Sequence, residues 1–298
     1  MMRVKIEANA RSLPSRCALE QEDIPSAARE RQGKDSSRAA PWRGSARMGR
    51  ENASADTAPV HQETAMGQPP SYEIQGRTVE IPAVVRDASS GSVLYMVDRG
   101  AAAALIPTDF EPIEAAPGKT QLALVIVDYR DNDLGDYDEV GIVFFVRPAG
   151  RPDAEVGSYI HKLPVNQSFT CEAGCRIWGF PKSVEEIDFR TADDSATCSL
   201  RMGGRHVLTL TVPRGGSGST PDTPAVGYTL IEGVAHTNVF VRGGSGEQTL
   251  PGGAGVTLLL GDHAIADELR SLGLEQATPL LSAWSEHMTG SFGASRKL

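Results

Sequence analysis

The chain has 298 residues, 40% of which are hydrophobic, and this is enough to bury at least one core. Its formal net charge of -9 argues against a nucleic-acid or anionic-membrane partner, because both need a dense basic patch. No apolar stretch approaches the roughly 20 residues that span a bilayer, and the N-terminus lacks the apolar core of a secretory signal. We therefore expect a soluble, cytoplasmic protein without membrane segments.

Residues 1–70 are rich in Arg, Ser, Ala, Gly, Pro and Gln, and they show neither helical nor strand periodicity. Such a segment cannot bury enough apolar surface to offset the entropy that is lost on ordering. We predict a disordered N-terminal extension over residues 1–70 and a folded domain over residues 71–298. The alternative is that the natural start lies at Met48 or Met66.

Short β-branched and aromatic runs separated by turn residues begin at Ser71, and this pattern is typical of strands. The run LALVIVDY is apolar at nearly every position, as in a strand covered on both faces, whereas HVLTLTV alternates toward one face. The glycine-rich stretches Arg214–Ser219 and Gly243–Gly246 are interpreted as flexible connections. The predicted strands are Val79–Val85, Ser92–Val97, Leu122–Tyr129, Val140–Val146, Val184–Phe189, Ala196–Met202, His206–Val212, Ala225–Ile231 and Val256–Leu260.

Helical signals are fewer. Short helical segments are predicted over Ala101–Leu105 and over Cys171–Trp178. The strongest helix is Asp262–Leu272, whose first residue is suited to the N-cap and whose apolar residues recur at three- and four-residue steps. A further helix is predicted over Leu280–Met288. Many short strands with few helices favour a mainly β (α+β) fold, a closed or nearly closed antiparallel β-barrel with a few packed helices.

The four cysteines, Cys17, Cys171, Cys175 and Cys198, have neither the number nor the regular spacing of a disulfide framework. Cys171 and Cys175 are close in sequence, but the six histidines stand apart from them, so the further ligands of a zinc site are missing. We expect neither a metal nor a cofactor.

Lys182 stands directly after Pro181 and beside two large aromatic residues, Trp178 and Phe180, which is an unusual setting for a surface charge. An amine desolvated by these rings would lose part of its preference for the ammonium form, because burial disfavours the charged state of a base. A neutral amine can attack a ketone. The alternative is a structural lysine whose aliphatic stem packs on the rings while its amine reaches water.

A family resemblance gives this lysine a chemical role. The string G-x-x-x-x-G-[FY]-P-K, formed here by Gly174, Gly179, Phe180, Pro181 and Lys182, resembles the active-site segment of the acetoacetate decarboxylase family. In that family the lysine forms a Schiff base with the substrate ketone. The resemblance implies the family's architecture, a mainly β barrel or cone around an interior pocket.

Three further matches occur in the family's order upstream of the lysine. YEIQGR ends in an arginine that the family turns toward its active site, and AAAALIPTDFEPIE resembles a short helix followed by a proline turn. LGDYDEVG resembles the segment that supplies an acidic active-site residue, on whose position Glu139 falls. The resemblance extends from about Ser71 to the C-terminus.

The resemblance implies that Lys182 is the nucleophile and that Glu139 shuttles protons. Arg77 is expected to orient a substrate carboxylate through its planar fork. For Arg77 and Glu139 the structural alternative is an ordinary salt bridge. The residues expected to contact the substrate are Arg77, Trp178, Phe180 and Tyr137.

The chain also departs from the family pattern. True decarboxylases have a second lysine directly after the first, where this chain has Ser183, and Cys175 and Arg176 replace an arginine and a glutamate. A second acidic position is apolar here, near Leu124. Any depression of the pKa of Lys182 must then come from desolvation or from a guanidinium such as that of Arg176.

These residues favour a carbon-carbon lyase that acts on a small keto acid through a lysine Schiff base, with decarboxylation as the leading reaction. An aldolase or dehydratase on the same scaffold remains open, because it would use the same electron sink. A non-catalytic small-molecule-binding barrel, in which Lys182 only pairs with a ligand carboxylate, also remains open. A further alternative is a purely structural oligomer module. Family analogy suggests a homo-oligomer.

Overall fold

The computed structural model describes residues 69–298. The predicted disordered extension therefore lies, apart from its last two residues, outside the described part of the chain. None of the helices in the described part is long and apolar enough to cross a membrane.

The described residues form sixteen strands, three α-helices and one π-helix. The strands are β1 (Ser71–Ile74), β2 (Arg77–Glu80), β3 (Ala83–Asp98), β4 (Phe110–Pro112), β5 (Lys119–Asn132), β6 (Tyr137–Pro148), β7 (Gly157–Val165), β8 (Lys182–Val184), β9 (Glu186–Thr191), β10 (Ser195–Met202), β11 (Arg205–Pro213), β12 (Gly218–Ile231), β13 (Val234–Pro251), β14 (Thr257–Leu260), β15 (Leu281–Phe292) and β16 (Arg296–Lys297). The helices are α1 (Arg99–Ala103), α2 (Ser168–Ala173), α3 (Ala264–Ser271) and the π-helix Gly174–Trp178, which directly continues α2.

Seven strands close into a barrel in the order β6, β5, β3, β15, β13, β12 and β7, with β7 pairing back onto β6. All neighbours in this ring are antiparallel except β7 and β12. Alternating burial along β3, where Val93, Tyr95 and Val97 are buried, is the expected pattern for such strands. The predicted mainly β, closed and mostly antiparallel barrel is confirmed.

A second sheet, in the order β14, β11, β10 and β9, lies against the barrel together with α3. Leu200, Leu208 and Leu269 from this layer share one cluster of buried residues with Phe144 of the barrel. We call this cluster the apolar core. The predicted helix Asp262–Leu272 is confirmed as α3, but its cap is His263, whose ring nitrogen accepts from the Ile265 amide, and not Asp262.

A second cluster of buried residues lies beneath α2 and the π-helix, and it includes Ile74, Val165, Phe169, Ile177 and Trp178. We call it the site core. Its residues come from β1, β7 and the helical segment, so strands distant in sequence meet there.

Two sequence predictions in this region were wrong. Leu280–Met288 is not helical but belongs to β15, which pairs with β3 and β13. Trp284 and Met288 are both buried, but they belong to different clusters, because the pairing of β15 with β3 shifts register between Ser285 and Met288. The pairing of β15 with β3 and β13 therefore determines the structure of this segment, although the spacing of its apolar residues also fits a helix.

The glycines of Gly243–Gly246 lie inside β13 and are not a flexible connection. A Cβ atom at Gly244 would lie 2.6 Å from Ser285 Oγ and 2.9 Å from the His287 carbonyl oxygen. The glycines permit a close approach of neighbouring strands. The predicted strand Val79–Val85 is also interrupted, because Ile81 and Pro82 separate β2 from β3.

Candidate active site

The segment from α2 to β8 places Lys182 inside the barrel. The Gln167 side chain caps α2 by accepting a hydrogen bond of 2.6 Å from the Thr170 amide. The π-helix Gly174–Trp178 ends at Gly179, whose φ of 67° is in the left-handed region that favours glycine. The chain then turns into β8, where Lys182 pairs with Leu163 of β7. The helical prediction for Cys171–Trp178 is thus confirmed.

Gly174 provides the space through which the Lys182 side chain passes. A Cβ atom at position 174 would lie 2.6 Å from Lys182 Cδ and 2.8 Å from Cε. Any side chain there would have to displace the lysine stem, because real Cβ atoms do not approach so closely. The first glycine of the motif is therefore explained by the lysine itself.

The Lys182 amine is buried and paired. Only 7% of Lys182 and 8% of Glu139 is exposed. Lys182 Nζ lies 2.9 Å from Glu139 Oε2 and donates to Thr170 Oγ1 at 3.0 Å. It also lies 4.9 Å from the centre of the Tyr137 ring, within the range of a cation–π contact. The amine thus has polar partners on several sides.

The pairing with Glu139 sets the charge state of this amine. Burial by itself lowers the pKa of Lys182, but the adjacent Glu139 carboxylate and the Tyr137 side chain outweigh it, so the pKa is raised. The expectation of a depressed pKa in the free protein was wrong, because desolvation was considered without the carboxylate 2.9 Å away. The resting amine is an ammonium.

The two tyrosines next to this pair are neutral. Burial and the Glu139 carboxylate raise the pKa of Tyr129. Burial also raises the pKa of Tyr137, against the opposing effect of the Lys182 ammonium. Their rings stack with centroids 4.5 Å apart. Both phenols therefore keep their protons near neutral pH and can donate hydrogen bonds.

A cavity of about 40 Å³ adjoins the amine. Apart from Lys182, Glu139 and Tyr137, the side chains around it are apolar or aromatic. They are Leu134, Ile160, Leu163, Trp178, Phe180 and Phe292. Trp178 is fixed by a hydrogen bond of 2.8 Å from its Nε1 to the Gly293 carbonyl oxygen and by stacking on Phe180. A small ketone in this cavity would meet the lysine amine in a largely apolar environment.

The structure brings five of the six sequence-predicted site residues to this cavity: Lys182, Glu139, Tyr137, Trp178 and Phe180. Arg77 does not border it. Its exposed side chain places the guanidinium 4.1 Å from the centre of the Phe169 ring. Binding of a substrate carboxylate by Arg77 therefore stays a prediction, and it would require the side chain to leave Phe169.

Other residues considered from the sequence lie away from the amine. Arg176 donates to Glu172 at 2.8 Å and to the Glu73 carbonyl oxygen at 3.2 Å, and its side chain is exposed, so it has no direct role in tuning Lys182. Ser183 lies on the opposite face of β8 from Lys182 and does not border the cavity. Among the described residues, no three His, Cys, Asp or Glu side chains are grouped to hold a metal ion.

Sequence reasoning missed Thr170, Tyr129, Ile160 and Phe292. Thr170 lies twelve residues before Lys182, and its role depends on the turn of the π-helix, for which the sequence has no clear signal. Ile160 and Phe292 come from barrel strands whose pairing was not predicted. Tyr129 ends the predicted strand Leu122–Tyr129, and pairing of that strand with Tyr137 would have placed it next to the site.

Comparison with known proteins identifies the family. The family model for acetoacetate decarboxylase matches residues 68–291. The chain belongs to the acetoacetate decarboxylase family. It is 30% identical over 120 residues to an acetoacetate decarboxylase of Acidiphilium cryptum, covering 40% of this chain and 46% of that protein. It is 29% identical over 140 residues to acetoacetate decarboxylase 2 of Mesorhizobium japonicum, covering 47% of this chain and 50% of that protein. The chain thus spans about half the length of the curated relatives it matches.

Two solved structures share the fold. The acetoacetate decarboxylase of Legionella pneumophila superposes with a TM-score of 0.57 at 19% identity, covering 73% of this chain and 87% of that chain. The enduracididine biosynthesis enzyme MppR, complexed with the condensation product of pyruvate and imidazole 4-carboxaldehyde, gives a TM-score of 0.53 at 17% identity, covering 78% of this chain and 97% of that one. At these identities the likeness establishes the architecture.

Proposed function

We propose that this protein is a lyase that forms a Schiff base between Lys182 and the ketone of a small keto acid, and that decarboxylation is its reaction. The observation that carries the proposal is a buried lysine amine 2.9 Å from a buried carboxylate, at the wall of a small and largely apolar cavity. Membership of the acetoacetate decarboxylase family supports the choice of reaction.

Glu139 solves the problem that the raised pKa of Lys182 creates. An ammonium has no lone pair with which to attack a ketone, so one proton must leave Lys182 first. Glu139 is within hydrogen-bond distance and can accept that proton directly. The neutral amine then adds to the ketone carbon. Glu139 returns the proton to the carbinolamine oxygen, which leaves as water and gives the iminium.

The iminium then provides the electron sink for loss of carbon dioxide. The carbon–carbon bond to the carboxylate breaks, carbon dioxide leaves, and the electron pair moves through the enamine to the lysine nitrogen. A proton adds to the carbon that lost the carboxylate, and water hydrolyses the new iminium to a ketone and free Lys182. Tyr137 and Thr170, both next to the amine, hold it in position through these steps.

An aldolase or dehydratase is the second candidate. It is favoured by the similar fold of MppR, whose structure holds a condensation product of pyruvate, and by Ser183 in place of the family's second lysine. An enamine formed from pyruvate at Lys182 could attack an aldehyde carbon with the same residues in place. The two reactions differ in whether carbon dioxide is released.

The test compares carbon dioxide release from acetoacetate with product formation from pyruvate and an aldehyde. Lys182→Met should abolish whichever reaction the wild type carries out, whereas Lys162→Met, on the neighbouring strand β7 and outside the cavity, should retain it. Because Lys182→Met leaves Glu139 buried without its partner, the double variant Lys182→Met/Glu139→Gln serves as a second folded reference. Turnover that survives in either Lys182 variant would refute the Schiff-base proposal. Reversible ligand binding without any turnover would instead favour a carrier.

A further inference from the structure

A second cavity, of about 100 Å³, lies next to the one at Lys182. Ile160, Phe180 and Phe292 border both cavities, so the two spaces share an apolar wall. We call these three residues the apolar partition. Phe180 is separated from Lys182 by Pro181 alone. A ligand that occupies both cavities would therefore contact these apolar side chains close to the proposed nucleophile.

Asn238, from β13, borders the second cavity with an unused hydrogen-bond donor. Only 5% of the residue is exposed, and its Nδ2 atom has no hydrogen-bond partner in the structure. A buried polar group without a partner is costly in free energy and rare in native proteins. Because Nδ2 itself has almost no exposed surface, a ligand that accepts its hydrogen bond would do so after a small movement of the side chain.

The backbone beside Asn238 leaves room for this amide. Asn238 pairs with Gly227 of β12, and a Cβ atom at position 227 would lie 2.5 Å from Asn238 Oδ1. The other hydroxyl groups around the cavity already donate to the backbone: Tyr228 to the Glu155 carbonyl oxygen at 2.8 Å, and Ser158 to that of Val226 at 3.4 Å. Among the described residues that border the second cavity, Asn238 is the side chain whose donor has no partner.

The surroundings define the group that this amide would bind. None of the described residues that border the second cavity is charged at neutral pH, so a carboxylate or phosphate there would be buried without a counter-ion, which is strongly unfavourable. A neutral acceptor, such as a hydroxyl or a carbonyl oxygen, satisfies the amide without this cost.

The sizes of the two cavities favour a substrate that uses both. The cavity at Lys182 has a volume of about 40 Å³. The second cavity has more than twice that volume. Substrate atoms beyond the ketone can be accommodated there.

We propose that the cavity at Asn238 receives the distal end of the substrate, and that the substrate is a 3-oxo acid longer than acetoacetate with an apolar middle and a neutral hydroxyl or carbonyl group near its end. The proposal rests on the proposed function, because the ketone is placed at Lys182. The apolar partition contacts the middle of the chain, and Asn238 binds the distal oxygen.

The test uses ligands that form no Schiff base. Binding of hexanoate and 5-hydroxyhexanoate, and of heptanoate and 6-hydroxyheptanoate, is measured by calorimetry with the wild type, Asn238→Leu and Thr237→Val. Thr237 neighbours Asn238 on β13, carries a hydroxyl that donates to the Gly227 carbonyl oxygen, and does not border the second cavity, so Thr237→Val is the matched control. In at least one pair we expect the wild type and the control to bind the hydroxylated acid about tenfold more tightly, and Asn238→Leu to lose this preference.

Two results would overturn the proposal: equal affinity of the wild type for both members of each pair, or a preference that persists in Asn238→Leu. The first needs only the wild-type protein, so it stands even if Asn238→Leu does not fold. Borohydride trapping of acetoacetate on Lys182 in the same preparation tests the proposed function separately. If the wild type prefers the hydroxylated acids but no adduct is trapped on Lys182, the Asn238 site is supported and the Schiff-base proposal is wrong.

Discussion

The apolar core and the site core bury similar aliphatic and aromatic side chains but differ in the polar groups next to them. Around Leu200 and Leu208 the second sheet and the barrel meet through apolar contacts. Beside the site core lie Lys182 and Glu139, the only buried charged side chains among the described residues. Replacing such a pair by well-packed apolar residues often stabilises a protein, so the pair is poorly explained as a source of stability.

The comparison indicates that the two cores have different roles. The apolar core stabilises the fold, and the site core holds a buried amine and a buried carboxylate 2.9 Å apart. Substitutions in the apolar core should change the stability of the protein without changing the pH profile of its activity. Substitutions beside the site core should change both the stability of the protein and the ionisation of Lys182.

Glu139→Gln should have the largest effect, because it leaves the buried amine without its carboxylate. Breaking a buried pair in this way costs about 3–5 kcal/mol at neutral pH. Turnover should fall by about 10²–10⁴-fold through loss of the proton shuttle. Steady-state kinetics and denaturant unfolding measure the two effects, with Asp138→Asn, the adjacent residue hydrogen-bonded to Asn166, as the control.

The same variant should change the pH dependence of stability. In the wild type the pKa of Lys182 is raised, so its contribution to stability is fully present below the ordinary value of 10.5 and is lost as pH rises through the raised value. Without the carboxylate, burial lowers the pKa of Lys182 below its unfolded value. Relative to the wild type, the variant should then gain stability from about pH 6 to pH 9. Parallel profiles would contradict the account.

Leu208→Ala should destabilise the protein by about 2–5 kcal/mol, because it leaves a void in the apolar core. The pH profile of activity should not move, since Leu208 does not border the cavity at Lys182. Leu259→Ala on the adjacent strand β14, where 63% of the leucine is exposed, is the matched control and should change stability by less than about 0.5 kcal/mol. A shift in the pH profile with Leu208→Ala would break the division between the two cores.

Gly174→Ala should destabilise the protein by about 1–3 kcal/mol, because its methyl group overlaps the Lys182 stem. Activity should also fall, because the methyl group displaces the Lys182 amine from Glu139. Gly141→Ala is the control, because a Cβ atom there has ordinary contacts of 3.4 Å or more. If unfolding and kinetic measurements show Gly174→Ala with full activity, the described path of the lysine is wrong.

Arg77→Ala should have the smallest effect, a change in activity of less than about threefold, because the guanidinium packs on Phe169 outside the cavity. The measurement is kcat/KM, with the exposed Arg201→Ala as the control. A loss comparable to that of Glu139→Gln would mean that Arg77 turns inward to the substrate, as the resemblance to the family implies.

The strands of the barrel were predicted from local patterns, whereas most of the site was predicted from the resemblance of short motifs to the family. Leu122–Tyr129 is apolar on both faces and forms β5, and the motif around Lys182 carries its own glycines and aromatic residues. The failures depend on contacts that are distant in sequence. Trp284 is compatible with a helix or a strand until its partners are known, and Asn238 reaches its cavity only through the register of β12 and β13.

The charge state of Lys182 could not be predicted for a related reason. The aromatic neighbours that indicate desolvation are next to it in the chain, whereas Glu139 comes from β6 and reaches the amine only in the folded barrel. Proximity of the two residues was expected from the family resemblance. The direction in which Glu139 shifts the pKa of Lys182 follows only from the distance of 2.9 Å between them in the folded protein.

Borohydride reduction with acetoacetate or pyruvate, followed by peptide mass mapping, tests the central claim most directly. The account predicts a reduced substrate adduct on Lys182, with none on Lys119 or Lys162, which do not border the cavity. It also predicts that the adduct forms faster as pH rises from neutral, because the resting amine is an ammonium. An adduct spread over the other lysines, or no adduct on Lys182 with any keto acid, would contradict it.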